Sequence, residues 1–167
     1  MKFFCLIFFC AAIAASCNNN KIQFTSVLKK VDTAWLDSIV KNSDSTYSKK
    51  YRTTDFATAD YYLLHKDSSV CQVMKDTAKT IRQILITRKN TRTYFAQYYA
   101  NGQLMADVKL DNFGQPDGKA IYYYENGNIK STGQYQHGLA TGEWKEFKEN
   151  NHAVSIIKYD SNGVRKN

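Results

Sequence analysis

The chain repeats itself at a short interval, and this repetition limits the possible folds more than any other feature. The pair Asn101-Gly102 recurs as Asn126-Gly127 and, with the glycine replaced, as Asn150-Asn151. The steps are 25 and 24 residues, and an aromatic run precedes each pair. A period of this length is typical of short repeat architectures, in which each unit packs against its neighbours.

Glycines punctuate the same region and indicate turns. Asn-Gly readily takes positive φ at both positions, as a tight hairpin turn requires, so aromatic strand, Asn-Gly and second strand together predict a β-hairpin. Each repeat is therefore predicted to be one hairpin. Further glycines recur between the hairpins and are predicted to mark the turns that stack them: Gly114, Gly118, Gly138, Gly142 and Gly163.

The chain before the repeats also has the composition of strands. Residues 55–92 hold aromatic and β-branched runs separated by short polar turns, with runs that include Tyr61, Val70 and Ile81. No linker separates this irregular β-meander from the repeats at residues 93–167. We therefore predict a mainly β fold, an antiparallel meander of stacked hairpin repeats preceded by an amphipathic helix.

The helix is predicted from apolar residues that recur every fourth position. They are Val27, Val31, Trp35 and Ile39, within a helix from about Ser26 to Lys41. Such a helix either covers one end or face of the sheet, or lies on a membrane or a partner. The following segment, Asn42 to Thr54, is predicted to be a polar loop.

The first residues have the features of an export signal. Residues 1–16 combine one positive charge at Lys2, an apolar run and small residues at the end, and the run is too short for a permanent membrane span. Ala14-Ala15-Ser16-Cys17 then fits a bacterial lipobox, with an ordinary signal peptidase site as the alternative. Residues 17–54 would comprise the lipidated Cys17, a polar tether, the helix and the loop. Acylation of Cys17 would hold the protein to a membrane of the bacterial cell envelope, at the outer membrane or on a periplasmic face.

The repeats resemble the MORN family in its bacterial variant form. The segments YYANGQL, GKAIYYYENGNIKSTGQYQHG and TGEWKEFKENN carry the resemblance, over about Tyr94 to Val164. Asn151 departs from the pattern at a turn glycine, Val108 stands where Gly133 does, and Ala120 stands where Trp144 does. Bacterial proteins built from such repeats are often named after the antitoxin component of a toxin–antitoxin module. The resemblance thus implies a protein partner of the toxin class and, with a lipobox, an immunity role in the envelope.

Charge and cysteine content restrict the partners further. The formal net charge is +8, but the basic residues are scattered among acids, so no nucleic-acid partner is predicted. Anionic lipid headgroups, an acidic protein or plain solvation are the alternatives for this charge. Once Cys5 and Cys10 leave with the signal and Cys17 is acylated, only Cys71 remains, and it is predicted to be a small buried side chain.

Residues for catalysis are sparse. His65, His137 and His152 are far apart, and the sequence has no metal-ligand spacing, nucleophile elbow or phosphate-binding loop. Paired carboxylates could meet only in space, as Glu143 and Glu146 or Asp107 and Asp111 could. We therefore predict no catalytic residue, metal or cofactor, and a non-enzymatic scaffold or protein-interaction role. The alternative is an envelope carbohydrate-binding factor, or an enzyme whose site the sequence does not reveal.

Aromatic side chains remain as candidates for binding, and they make up 14% of the residues. Consecutive strand residues point to opposite faces, so one set would pack repeat on repeat while the other could face a partner. Alternatively, both sets mainly stabilise the sheet. The candidate binding surface comprises Tyr98, Tyr99, Tyr122, Tyr123, Tyr124, Trp144 and Phe147.

Overall fold

The computed structural model describes residues 29–53, 55–150 and 152–166. Within these ranges the chain forms one α-helix, α1 at Thr33–Lys41, a short 3-10 helix at His65–Asp67, and eleven strands. The strands are β1 Ser45–Lys50, β2 Thr58–Leu64, β3 Ser69–Lys75, β4 Ile81–Arg88, β5 Thr91–Tyr98, β6 Leu104–Lys109, β7 Gly118–Tyr123, β8 Ile129–Gln136, β9 Leu139–Phe147, β10 Ala153–Tyr159 and β11 Arg165–Lys166.

The strands form one open sheet whose order follows the chain from β1 to β11. Neighbouring strands are antiparallel throughout, so the predicted meander of successive hairpins with a helix near the N-terminus is confirmed. The export signal and Cys17 lie outside the described residues. No helix within the described ranges has the length and apolarity needed to cross a membrane.

The Asn-Gly turns differ from the predicted tight turns. In the first, the Gly102 N–H donates to the Tyr99 carbonyl at 3.0 Å, and the Tyr99 N–H donates to the Gln103 carbonyl at 2.8 Å. Only Gly102 has positive φ, at +81°, so the loop is a three-residue turn closed by a left-handed glycine. Asn101 instead uses its side-chain oxygen to accept from the Gln103 N–H at 2.9 Å.

The same backbone pattern closes the loops 111–115, 124–128 and 160–164, which explains why their glycines recur. Tight turns with positive φ at both positions occur elsewhere, at Lys89-Asn90 and His137-Gly138.

The turns alternate between the two ends of the strands, and each row of turns forms one long side of the sheet, which we call a turn edge to distinguish it from the outer strands. One edge carries the loops at 99–103, 124–128 and 148–152, and we call it the asparagine edge because each loop contains an asparagine of the repeat. The other carries the turns at 88–91, 111–117, 136–139 and 160–164, and we call it the Phe113 edge after the residue at one tip.

The helix begins later than the sequence predicts. Residues 29–32 are not helical, and residues 26–28 lie outside the described ranges. Asp32 is the N-cap, because its carboxylate accepts from the Trp35 N–H at 3.0 Å. A capping aspartate satisfies a free amide of the first turn, so α1 starts at Thr33 rather than at Ser26.

The helix covers one face of the early strands, as the covering alternative predicts. Val31, Leu36 and Ile39 pack on a buried cluster from β3, β4 and β5. This cluster consists of Cys71, Val73, Ile84, Ala96 and Tyr98. We call this side of the sheet the helix face and the other side the open face.

The helix face changes character along the sheet. Cross-strand partners share a face, and the row that begins with the buried Val73, Ile84 and Ala96 continues through Asp107, Ile121, Thr132, Lys145 and Ile156. Among the later members Asp107, Thr132 and Lys145 are polar, Ile121 is half-buried, and 59% of Ile156 is accessible. In the repeats the buried residues Ala106 and Trp144 therefore lie on the open face instead.

The segment predicted as a polar loop contains a strand. β1 pairs along its full length with β2, and the Tyr47 and Tyr61 rings stack at 4.5 Å. Every β1 residue is exposed, and its sequence STYSKK is mostly polar. The segment therefore looks like a loop in the sequence, although its backbone is paired with β2. Lys49 and Lys50 on this outer strand are typical of an edge protected against further strand pairing.

Candidate binding groove

A continuous row of side chains crosses the open face from β4 to β10. Leu85, Phe95 and Val108 are successive cross-strand partners. Two residues from Val108 on β6, Ala106 begins a second run of partners, which continues through Tyr122, Ser131, Glu146 and Ser155. Adjacent strands lie about 4.8 Å apart, so the row is roughly 30 Å long and runs across the strands.

Two concavities along this row join into one groove. The first has a volume of about 380 Å³ and is lined mainly by β4, β5 and β6; the second has about 350 Å³ and is lined mainly by β7 to β10. Met105 and Tyr122 line both, so the two form a single site that we call the open-face groove. Its other lining residues include Leu85, Arg92, Phe95, Gln97 and Val108 in the first part, and Tyr99, Tyr123, Lys130, Tyr135, Trp144, Glu146, Ile157 and Tyr159 in the second.

Trp144 forms the floor of the second part. A β-carbon at Gly133 would overlap the Trp144 indole, so the absence of a side chain there makes room for the ring. Tyr135 meets the indole edge to face at 4.9 Å, and the indole N–H donates to the Gln134 carbonyl at 3.2 Å. Only 8% of Trp144 is accessible, so it supports the groove and offers little surface to a ligand.

The groove is apolar with hydroxyl groups and few charges. Burial, followed by the hydroxyl of Tyr135 at 3.3 Å, raises the pKa of Tyr122, which therefore stays protonated at neutral pH. Glu146 is a groove carboxylate whose oxygen accepts from the Ser155 hydroxyl at 2.8 Å. Arg92 adds a positive charge to the first part and Lys130 adds one to the second. The surface suits an elongated, largely apolar ligand.

The structure divides the predicted binding residues into three groups. Tyr99, Tyr122, Tyr123 and Trp144 line the groove, although Tyr123 and Trp144 are mostly buried. Tyr98 is only 5% accessible and lies in the core under α1, so it is not part of the groove. Tyr124 and Phe147 couple neighbouring repeats at the asparagine edge.

That coupling recurs with the repeat. The Tyr99 hydroxyl donates to the Tyr123 carbonyl at 2.9 Å, and the Tyr124 hydroxyl donates to the Phe147 carbonyl at the same distance. The Asn101 amide likewise donates to the Glu125 carbonyl at 3.0 Å. Repeat tyrosines and asparagines therefore join one loop of the asparagine edge to the next.

Several groove residues were not predicted from the sequence: Leu85, Phe95, Met105, Tyr135, Ile157 and Tyr159. The alternation of strand residues could have found Leu85 and Phe95, since both stand opposite the buried cluster. Met105 could not be found in this way, because it lies where the β5–β6 register shifts between Gln97 and Tyr98.

The remaining reactive groups lie apart from the groove. Cys71 is 1% accessible on the helix face, and burial raises the pKa of its thiol to about 11, as the prediction of a small buried side chain requires. His65 and His137 lie in turns, next to Asp44 and Asp111 respectively. Across the described part of the chain, no three histidine, cysteine or carboxylate side chains are placed to hold a metal ion.

Comparisons with known proteins recognise part of the repeat region. Residues 116–137 match the MORN repeat variant, which covers β7, the following loop and β8. A search of curated protein sequences finds no match to this chain.

Among solved structures, the chain is similar to "Crystal Structure of TarM", with 11% identity and a TM-score of 0.40. A mutant of S. aureus TarM in complex with Fondaparinux, alpha-GlcNAc-glycerol and UDP gives 12% identity and a TM-score of 0.41. Both matches cover 75% of this chain and 24% of the TarM chain, so the chain spans about a quarter of the protein it matches.

Proposed function

We propose that this protein is a non-enzymatic, membrane-anchored scaffold whose open-face groove binds a segment of a partner protein. The observation that carries the proposal is the groove itself, a long apolar concavity that crosses seven strands on a face left uncovered by the described residues. Pockets with an apolar lining and a few placed polar groups are the usual form of binding sites.

The lining favours binding over catalysis. The histidines at 65 and 137 and the thiol of Cys71 lie outside the groove, and Glu146 is engaged by Ser155. A general acid–base mechanism needs a titratable group within hydrogen-bond reach of the reacting atom. The paired hydroxyls of Tyr122 and Tyr135 are instead suited to exchange hydrogen bonds with a ligand.

The same lining favours a polypeptide over a sugar chain. Leu85, Phe95 and Ile157 offer aliphatic and aromatic contact, whereas the Trp144 indole is held against Gly133 and is not free to stack on a sugar ring. The sheet's backbone groups are used in its own ladder, so a peptide across the strands would be held through its side chains. A toxin, as the repeat resemblance implies, is the partner class proposed.

The test compares two adjacent residues on opposite faces. Ile157 lines the groove, while Ile156 lies on the helix face with 59% of its surface exposed. A photo-crosslinking residue at 157 is expected to capture one defined protein from membranes, and the same residue at 156 is not. Ile157→Asp should then abolish binding of that purified protein, while Ile156→Asp should preserve it. Equal capture at both positions would exclude the groove, and binding of oligosaccharides instead would support the carbohydrate alternative.

The membrane anchor is proposed from Ala14-Ala15-Ser16-Cys17. Acylation would make Cys17 the first residue of the mature chain and place the sheet at the envelope membrane. Intact-mass measurement of the membrane fraction should show the acyl mass on Cys17, and Cys17→Ser should move the protein to the soluble fraction. An unmodified Cys17 in membrane-bound protein would disprove the anchor and leave the groove proposal standing.

A further inference from the structure

The Phe113 edge carries a row of exposed apolar side chains. Phe113 is 83% accessible, Val164 is 60% accessible and Leu139 is 46% accessible. Each lies in or beside a different turn, in the order of the strands that the turns connect. Successive turns on one edge are two strand spacings apart, so the row extends over about 20 Å.

These turns are packed against one another. The Gly138 N–H donates to the Pro116 carbonyl at 2.8 Å, and the His137 imidazole bonds to the Asp111 carboxylate at 2.9 Å. On the next turn, a β-carbon at Gly163 would lie 3.2 Å from that of Leu139. The three tips therefore form one supported row.

At this edge the acidic and basic side chains have different surroundings. The acids point into the turns: Asp111 accepts from the Phe113 and Gln115 N–H groups, Asp117 from the His137 N–H, and Asp160 from the Asn162 and Val164 N–H groups. The basic side chains at or near the same edge are exposed, namely Arg92, Lys109, Lys119, Arg165 and Lys166. The outward surface is therefore apolar at its tips and positive around them.

We propose that the Phe113 edge binds the surface of an anionic lipid bilayer. Separate apolar tips can enter the interfacial layer of a bilayer, where Phe and Leu side chains partition favourably, while lysines and arginines behind them meet lipid phosphates. The three exposed side chains lie on separate turns, an arrangement that suits a deformable surface better than a folded protein.

The edge and the proposed lipid anchor can act together, a point that rests on acylation of Cys17. Eleven residues lie between Cys17 and Lys29, so the two are at most about 40 Å apart along the chain. A strand of eight residues is about 26 Å long, so the anchor can reach the membrane when the Phe113 edge touches it. The edge would add a second membrane contact to the acyl anchor and hold this side of the sheet against the bilayer.

The binding itself is tested without the lipid. The chain from residue 17 with Cys17→Ser keeps every described residue and is sedimented with phosphatidylcholine vesicles, with or without phosphatidylglycerol. Binding is expected only to the vesicles with phosphatidylglycerol. Phe113→Ser should weaken it roughly tenfold, and Lys166→Ser about fivefold.

Ile156→Ser is the control, because it removes an apolar residue that is 59% accessible, close to Val164 at 60%, from the helix face. It should leave vesicle binding unchanged. Equal binding to both kinds of vesicle, or unchanged binding by Phe113→Ser, would overturn the proposal. Since the protein used is unacylated, the result is independent of whether Cys17 is the anchor or the groove binds a protein.

Discussion

Gly133 and Trp144 form one packing unit, since the indole fills the space that a side chain at residue 133 would need. In the preceding repeat the same positions hold Val108 and Ala120. In one repeat the first position is small and the second is large, and in the preceding repeat the first position holds the larger side chain. This explains how the sequence can depart from its own repeat pattern at two positions while the strands stay paired.

The unit gives a stability prediction at this scale. Gly133→Ala should lower the free energy of unfolding by about 1–3 kcal/mol, because the indole must move. Trp144→Ala alone should cost about 3–5 kcal/mol. Gly133→Val combined with Trp144→Ala, which copies the preceding repeat, should cost less than the sum of Gly133→Val and Trp144→Ala. Urea denaturation measures all four proteins, and strict additivity would contradict the proposed packing unit.

The pair of His137 and Asp111 gives a dependence on pH. The hydrogen bond between them, followed by the turn amides of Gln115 and Phe113, lowers the pKa of Asp111, and the same bond raises the pKa of His137. Because the carboxyl pKa is lowered in the fold, the charged carboxylate stabilises the protein above about pH 4, and this stabilisation is lost as the pH falls further. Because the imidazole pKa is raised, the charged imidazole stabilises the protein below about pH 6.5, and this stabilisation is lost as the pH rises further.

His137→Asn should therefore reduce the melting temperature most between about pH 4 and 6.5, and least above that window. Asparagine tolerates the left-handed backbone at this position, where φ is +48°. His152→Asn, in a loop of the asparagine edge, controls for the loss of an imidazole. A difference that grows above neutral pH would refute the assignment.

At the scale of elements, the repeats are joined by tyrosine hydroxyls as well as by the strand ladder. Tyr124→Phe should reduce the free energy of unfolding by about 0.5–1.5 kcal/mol, because the Phe147 carbonyl loses its side-chain donor. Tyr99→Phe should do the same one repeat earlier. Chemical denaturation measures both variants. A Tyr124→Phe protein of unchanged stability would show that the bond contributes nothing.

The strands could be predicted from the sequence because aromatic and β-branched runs alternate with turn residues over the whole region. The turn type could not, since Asn101 satisfies the Gln103 amide with its side chain and leaves positive φ to Gly102 alone. β1 was missed because all its residues are exposed, so no apolar alternation marks it. The predicted helix start at Ser26 was wrong because Asp32, which lies between the apolar residues of the pattern, is the N-cap, and the helix begins at Thr33.

The groove could be predicted only in part for a related reason. Tyr98, Tyr99, Tyr122 and Tyr123 are adjacent aromatic residues, and register shifts occur beside Tyr98 and between Tyr122 and Tyr123. Each shift changes which side chains share a face, and the amino-acid pattern does not mark its position. The aromatic content thus indicated a binding surface, but the pairing register of the strands determines which aromatic side chains line the groove.

For the whole molecule, the sheet is covered unevenly. α1 lies over β3 to β5, whereas β10 pairs with β11 at only two positions. Amide hydrogen exchange should therefore be slowest in β4 and fastest in β10 and β11. Leu36→Ser should speed exchange in β3 to β5 and leave β8 to β10 unchanged, because units in a repeat array contact only their neighbours. Uniform acceleration along the sheet would contradict this.

The segment before α1 is fastened to the middle of the sheet, and this has a mechanical consequence. The Lys29 N–H donates to the buried Gln103 side chain, the Leu104 N–H donates to the Lys29 carbonyl, and the Lys29 amine donates to the Tyr123 hydroxyl. A force that pulls on the chain before Lys29 is thus first resisted at β6 and β7, and neither outer strand is peeled away. Tension from the N-terminal side would be carried into the first repeat, next to the groove.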